Sequence, residues 1–320
     1  MQQIQFIRGL HGLEHASLPR GCVATIGAFD GVHLGHQRLI ETAKAVAAPQ
    51  NLPVVVVIFE PQPNEYFDRS APPVRLTSLR EKVAALAECG VDAVLCLRFN
   101  ATLRAMTAEV FVQEVLHTGL AIQHLVVGDD FRFGCDRKGD FNFLMTQGEA
   151  LGFTVSDTHT LASGEARVSS TRIRALLDAG ALDEAATLLG RPYQHCGRVK
   201  YGRQLGRTLG FPTLNVHLAQ RCPPLRGVFV VEAELAGTRY TGVANVGTRP
   251  TVDGKSRPLL EVHLFDAHVD AYGAFVSVVF LQKLRDEKKF DSVDALRQQI
   301  EHDAIAARQW LANMPQNASL

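Results

Sequence analysis

In the decapeptide GAFDGVHLGH, residues 27–36, two imidazoles, His33 and His36, stand three positions apart. Gly27, Gly31 and Gly35 strip side chains from the backbone around them. At a helix start this spacing turns both rings to one side, where each can donate a hydrogen bond to a phosphate oxygen. A glycine-bearing turn lets main-chain amides approach the same anion, and the helix terminus adds a partial positive charge. The chemistry this suits is attack on the α-phosphate of a nucleotide. Taken alone, an HxxH pair reads more simply as two surface histidines after a tight turn. Zinc is disfavoured, because no third ligand follows at a recognisable spacing. No GxxxxGK[ST] occurs, which excludes a P-loop.

Two further stretches carry groups of the same kind. RVSSTRIR, 167–174, places hydroxyls and guanidinium groups at a turn before the helical stretch IRALLDAG, which suits a triphosphate. A cap of that helix by Ser169 or Ser170 is compatible with this. In GRTLGFPTLN, 206–215, Pro212 biases Phe211 to an extended backbone, so Thr213 and Asn215 share one side. A hydroxyl and an amide oxygen are hard ligands of the sort magnesium accepts. Without context PTxN reads as a turn, Glu261 as a solvent-facing strand residue, and Lys288 and Lys289 as a solvated face. His217 and His263 read as structural strand residues.

These groups must be held by two kinds of scaffold. In the first half, β-branched runs (CVATIGAF, PVVVVIF, DAVLCLRF, HLVVG, FTVSD) alternate with stretches of helical period such as HQRLIETAKAVAA and SLREKVAALAEC. Continuous apolar strands with helical crossovers predict a parallel α/β sheet, with GAFDG at the carboxyl end of the first strand, the edge where such sheets bind ligands. LGRPYQHCG reads as a turn-rich link. Beyond it, period-two runs between glycine turns predict an antiparallel sandwich or small closed barrel. The amphipathic stretch SVDALRQQIEHDAIAARQWLANM predicts a long last helix on its outside.

Composition narrows the class. At 320 residues two domains are expected, and 46% apolar residues make the chain globular. Lysine plus arginine equals aspartate plus glutamate at 33 each, which argues against a surface built for nucleic acid or anionic lipid. The six cysteines form no CxxC pair and read as reduced. The amino terminus lacks an apolar signal region and no run reaches a membrane span, so a cytoplasmic protein is expected.

GAFDGVHLGH resembles the HxGH signature of nucleotidyltransferases, in the form found in bacterial bifunctional riboflavin kinase/FAD synthetases. FEPQP (59–63), VVGDDFRFG (126–134), RKGD (137–140) and RVSSTRIR match the same half of that family. GRTLGFPTLN, GVANVGTRPT (242–251), EVHLFD (261–266) and FLQKLRDEKKF (280–290) are similar to its riboflavin kinase half. The resemblance implies a Rossmann-like adenylyltransferase domain with a parallel sheet over 1–186 and an antiparallel β-barrel kinase domain with a long C-terminal helix over 187–320. It implies that the barrel phosphorylates riboflavin with ATP to FMN, and that the α/β domain joins FMN to a second ATP to give FAD and pyrophosphate. His33 and His36 would stabilise phosphate charge. Gly27, Phe29, Asp30, Gly31, Gly35, Arg167, Ser170, Thr171 and Arg174 would hold the triphosphate, with Asp130 at the nucleotide or flavin edge. In the kinase half Thr213 and Asn215 would hold magnesium and ATP, and Glu261 would act as base. Gly206, Arg207, Gly210 and Arg285 would contact phosphate or its covering loop. The FRFG aromatics fit core packing and flavin contact equally. Gln62 stands in FEPQP where many relatives carry histidine. The implied partners are riboflavin, FMN, FAD and ATP, with magnesium as cofactor and no nucleic acid or membrane; a weak homo-oligomer is left open. A single-activity nucleotidyltransferase would leave the PTxN half without purpose, and a mere flavin-binding protein would have no need of the imidazoles and Glu261.

Overall fold

The computed structural model describes residues 4–15, 18, 20–68, 70, 72–128, 130–157, 168–202, 206, 209–218, 223–250, 256–267 and 269–314. By packing, the chain divides into two compact units, one of Met1–Pro73 and Lys82–Val168, the other of Val74–Glu81 and Ser169–Leu320.

The first unit is built on six parallel strands, β1 (Gln5–Arg8), β2 (Cys22–Ile26), β3 (Val54–Glu60), β4 (Ala93–Arg98), β5 (Ile122–Val127) and β6 (Thr154–Asp157), in the order β1-β4-β3-β2-β5-β6. GAFDG therefore follows the second strand, not the first: QFIR forms a short edge strand whose four residues bury only Ile7 fully, too few to give a period. From β2 the chain adds β3 and β4 on one side, then returns to place β5 and β6 on the other. The order reverses between β2 and β5, and the crevice beyond the carboxyl ends of these strands is the place where such sheets take ligands.

β2 is buried on both faces. Cys22, Ala24 and Ile26 join a core with Leu125 and Val127, whereas Val23 packs with Ala43 and Ala47 of helix α1 (Leu34–Ala47). TAEVFVQEVLH, which also has a helical period, starts as an α-helix at Ala108, and its turns become π-helical from Val112 to Gly119.

The second unit is a closed antiparallel barrel. Its strands are β7 (Gln194–Lys200), β8 (Leu214–Val216), β9 (Gly227–Leu235), β10 (Thr238–Pro250), β11 (Ser256–Leu264) and β12 (Phe275–Arg285), in the order β10-β11-β8-β7-β12-β9. β7 corrects the linker reading of LGRPYQHCG, whose last four residues open the barrel. Its inward positions are His195, Gly197 and Val199, so only one apolar side chain marks the period. The long last helix spans Val293–Ala312. It packs on the outside of the wall, where Ala304, Ala307, Trp310 and Leu311 meet Val243 and Phe265. Two helices precede the barrel, Ser170–Ala179 and Leu182–Leu189; a cut at 186/187 falls within the second of them.

Leu125 is fully buried in β5, an interior strand of the sheet. Leu125→Ala is expected to lower the unfolding free energy of the first unit by about 2–5 kcal/mol, read from a urea titration. A change of only a few tenths would show that this core is not close-packed.

Candidate functional sites

In the first unit the turn after β2 is held in an unusual conformation. Phe29 (φ 46°), Gly31 (φ 86°) and Val32 (φ 43°) all take positive φ. Glycine does so freely, but a β-branched valine there is strained by roughly 1–3 kcal/mol. The turn is over-determined. Phe29 and Val32 are completely buried, Val32 N–H donates to the Phe29 carbonyl (3.3 Å), and Gln37 Nε2 donates to the Val32 carbonyl (2.9 Å). Gly27 N–H donates to the Val57 carbonyl of β3 (3.1 Å). The missing Cβ of Gly27 accommodates the Phe29 ring, and that of Gly35 accommodates the ring of His33. Asp30 is buried beside them.

His33 is the N-cap of α1, and its Nδ1 accepts the backbone N–H of His36 (3.4 Å). In the neutral ring this places the proton on Nε2. His36 stacks on His33 with ring centroids 3.7 Å apart and meets Phe29 at 4.9 Å. Its Nδ1 is enclosed and has no hydrogen-bond partner among the described residues. Burial first, then the neighbouring His33 and the charge of Lys82, push the His36 imidazole well below its ordinary value, so the ring is neutral at pH 7.

The crevice beyond the carboxyl ends of β3, β4 and β5 holds a cleft of 790 Å³ lined by Phe59, Phe67, Phe99, Phe111, Phe131, Phe133 and Met106, with Arg104, Arg132 and Arg137. Phe131 and Phe133 stack at 5.4 Å, and Arg104 lies over the Phe67 ring. The FRFG aromatics thus face a cavity as well as the core. Asp130 is exposed in the same loop.

Ser169 is the residue that caps the helix Ser170–Ala179, accepting from Arg172 N–H at 3.3 Å. Ser170, Thr171 and Arg174 lie in its first turns, counted with the second unit, where Arg174 Nε donates to the Val74 carbonyl. Arg167 lies outside the described residues, as does Arg207.

In the barrel the strand register makes a site. Glu261 of β11 pairs with Asn215 of β8 on one side and Asn245 of β10 on the other. Asn245 pairs with Val228 of β9, and Val228 with Arg285 of β12. Directly paired residues share a face, and Val243, which packs against the last helix, shows that this face is the outer one. Glu261, Asn245, Val228 and Arg285 line a 390 Å³ cavity with Gly206, Phe211, Thr213 and His263, closed by Leu296, Ile300, Asp303 and Ala304 of the last helix. Thr213 also lines a second cavity of 550 Å³ with Pro212, Tyr201 and Tyr272, whose rings stack at 3.9 Å. His263 Nδ1 binds the Pro212 carbonyl (2.9 Å) and so fixes the PT corner; Phe211 N–H closes the preceding turn on the Gly206 carbonyl (2.7 Å). Gly210 sits in that turn at φ 87°.

Arg285 is held in a fork: Nε donates to Asp303 Oδ1 (2.9 Å) and Nη2 to Oδ2 (2.7 Å), which ties β12 to the last helix. Asn245 and Glu287 line the cavity from within GVANVGTRPT and FLQKLRDEKKF without having been named individually, and Asp303 lines it from outside the quoted motifs, its signal being its helical position opposite Arg285. Partial burial pushes the Glu287 carboxyl up, opposed by Arg226, a hydrogen bond from Asn245, and Arg285. Lys288 lines the rim as well as meeting solvent. Thr213 and Asn215 fit a magnesium ion in donor chemistry, two neutral oxygens beside a row that carries one carboxylate, leaving the remaining positions to phosphate and water.

Family models agree with both halves. A FAD synthetase model matches residues 15–172 and a riboflavin kinase model 189–311. A bifunctional riboflavin kinase/FMN adenylyltransferase of Pseudomonas fluorescens is 50% identical over 307 residues, covering 95% of this chain and 97% of the relative. The chain belongs to the bifunctional riboflavin kinase/FMN adenylyltransferase family. An Escherichia coli K12 member is 47% identical, covering 96% of this chain and 98% of its own. A crystal structure described as a macrolide-efflux protein from Streptococcus pneumoniae superposes with TM-score 0.82 at 32% identity, covering 96% of this chain and 100% of that one. Efflux is a description of that protein; among the described residues here no helix is long and apolar enough to cross a membrane.

Because the folded His36 pKa lies below the unfolded value near 6.5, the unfolded chain binds the proton more readily as pH falls. The stability tied to a neutral His36 is present above about pH 6.5 and is lost below it. His36→Gln is expected to flatten the fall in melting temperature between about pH 7 and 5; an unchanged slope would mean that His36 already titrates normally.

Proposed function

We infer that the two activities of the family are divided along this chain between residues 1–186 and 187–320, a boundary that lies in the gap between the two family-model matches although the packing units part at Val168/Ser169. The barrel transfers the γ-phosphoryl of ATP to riboflavin, giving FMN and ADP. The sheet half joins FMN to the α-phosphorus of a second ATP, giving FAD and pyrophosphate. The observation that carries the reading is the register that sets Glu261 between Asn215 and Asn245 on the wall of a cavity.

In the kinase half, Thr213 belongs to both cavities, so two ligands placed in them would meet at the PT corner. The cavity under the last helix, apolar with a few convergent polar groups, suits the flavin; the cavity beside Tyr201 and Tyr272 suits the nucleotide. Glu261 orients the ribityl 5′-hydroxyl and accepts its proton as the phosphoryl group transfers. Thr213 and Asn215 would hold magnesium, which when bound neutralises phosphate charge. Arg285 acts through Asp303, fixing the helix that closes the cavity.

In the adenylyltransferase half, the FMN phosphate is already an anionic nucleophile, so positioning and charge stabilisation are enough. The aromatic cleft fits a planar tricyclic ring, and its arginine rim fits the phosphate. The backbone turn and His33 Nε2 donate to ATP phosphate oxygens. His36 enters neutral, and the bound anion raises its proton affinity as pyrophosphate leaves.

His36→Ala is expected to lower FAD formation from supplied FMN by about 10²–10³-fold, with FMN formation unchanged, by chromatography of the flavins. Asn215→Ala should do the reverse. Loss of both activities in either folded variant would contradict a two-site division. Chelation of divalent metal is expected to stop FMN formation and excess magnesium to restore it; turnover persisting in chelator would remove the role given to Thr213 and Asn215.

A further inference from the structure

Lys82 is a lysine with no exposed surface, an arrangement proteins avoid unless the ammonium has work to do. It lies on the helix Leu79–Glu88. Its Nζ donates to the carbonyl of Ala28 at 2.7 Å and stands 3.9 Å from the carboxylate of Glu60, at the end of β3. Ala28 is the second residue of GAFDGVHLGH, and it is itself exposed. A buried cation thus grips the strained turn from behind, at the peptide leading into its first left-handed residue, Phe29.

We propose that Lys82 is a positioning residue for adenylyl transfer, holding the Ala28 carbonyl inward so that the following amide and the paired histidines face the triphosphate. A trans peptide unit is planar with its C=O and N–H opposed. With the Ala28 carbonyl fixed towards Lys82, the N–H of Phe29 points the other way, out from the buried side. The lysine bond also anchors the segment that ends in His33, whose ring caps α1 and stacks on His36. The nearby cation disfavours a second charge on His36, in keeping with a ring that enters the reaction neutral. Glu60 balances the buried charge, and Lys82 between it and Ala28 links the carboxyl ends of β2 and β3. This inference rests on the adenylyltransferase reading of the first unit.

The test is Lys82→Met in the full-length chain, which keeps the aliphatic stem and removes the ammonium. FAD formation from FMN and ATP, and FMN formation from riboflavin, are measured on the same preparation. The expected result is a fall in kcat for FAD formation of about 10²-fold, the scale of a displacement near 1 Å, with FMN formation unchanged. The His36 imidazole, followed by NMR, should titrate at higher pH than in the unaltered protein. A variant that melts earlier yet keeps its kcat per folded molecule within about twofold and its His36 titration unmoved would overturn the proposal. If Lys82→Met does not fold, the ammonium signal of Lys82 in the unaltered, ¹⁵N-lysine-labelled protein serves instead. It should shift on addition of a non-hydrolysable ATP analogue, and an unmoved signal overturns the proposal. Absence of FAD formation in the unaltered protein would instead remove the reading on which the proposal rests.

Discussion

Between β2 and α1 the main chain is forced through left-handed conformations at Phe29 and Val32. Neither residue adopts that backbone readily, so the turn exists only because its surroundings enforce it. The strand before it is buried on both faces and cannot slide. Both strained side chains are sealed in the interior, and the helix after it begins on a cap made by His33. The topology puts this turn where strand order reverses, so the crevice beside it is open.

The barrel reaches a comparable rigidity by other means. A register fixed by hydrogen-bonded pairs aligns Asn215, Glu261, Asn245, Val228 and Arg285 across five strands, so these groups are carried by the wall, with Thr213 just before β8 and Glu287 just after β12. The last helix supplies the other side of the cavity. Its attachment combines apolar packing at Ala304 and Ala307 with the Arg285–Asp303 fork, and Gln299 adds a further bond to Asp303 at 2.9 Å. Arg285 is therefore occupied structurally, which a motif read as phosphate contact does not reveal.

Much of this was legible in the sequence because it follows from local rules. VVVVIF and CVATI read as doubly buried strands, and the glycines and paired histidines of the first motif marked the strand-to-helix turn. Thr213 and Asn215 lie where a proline-led extended segment puts them. What was not legible depends on distant partners. QFIR has too few buried residues to show a period, and the histidine and glycine at inward positions of β7 hid that strand inside an apparent linker. Within GVANVGTRPT, Asn245 is picked out only by cross-strand register, and Asp303 only by helix packing. Lys82 lies in SLREKVAALAEC, whose helical period says nothing of its burial, and only the fold shows it buried against Ala28. The choice between sandwich and closed barrel likewise rests on which edges meet.

The proposed division places two phosphate chemistries in separate parts of one chain. The most direct measurement is a time course of riboflavin, FMN and FAD after mixing the purified protein with riboflavin, ATP and magnesium chloride. FMN rising first and FAD following at its expense is the expected result. FMN that accumulates without ever yielding FAD, or no turnover at all, would contradict the assignment of the histidine pair and the barrel row to successive reactions.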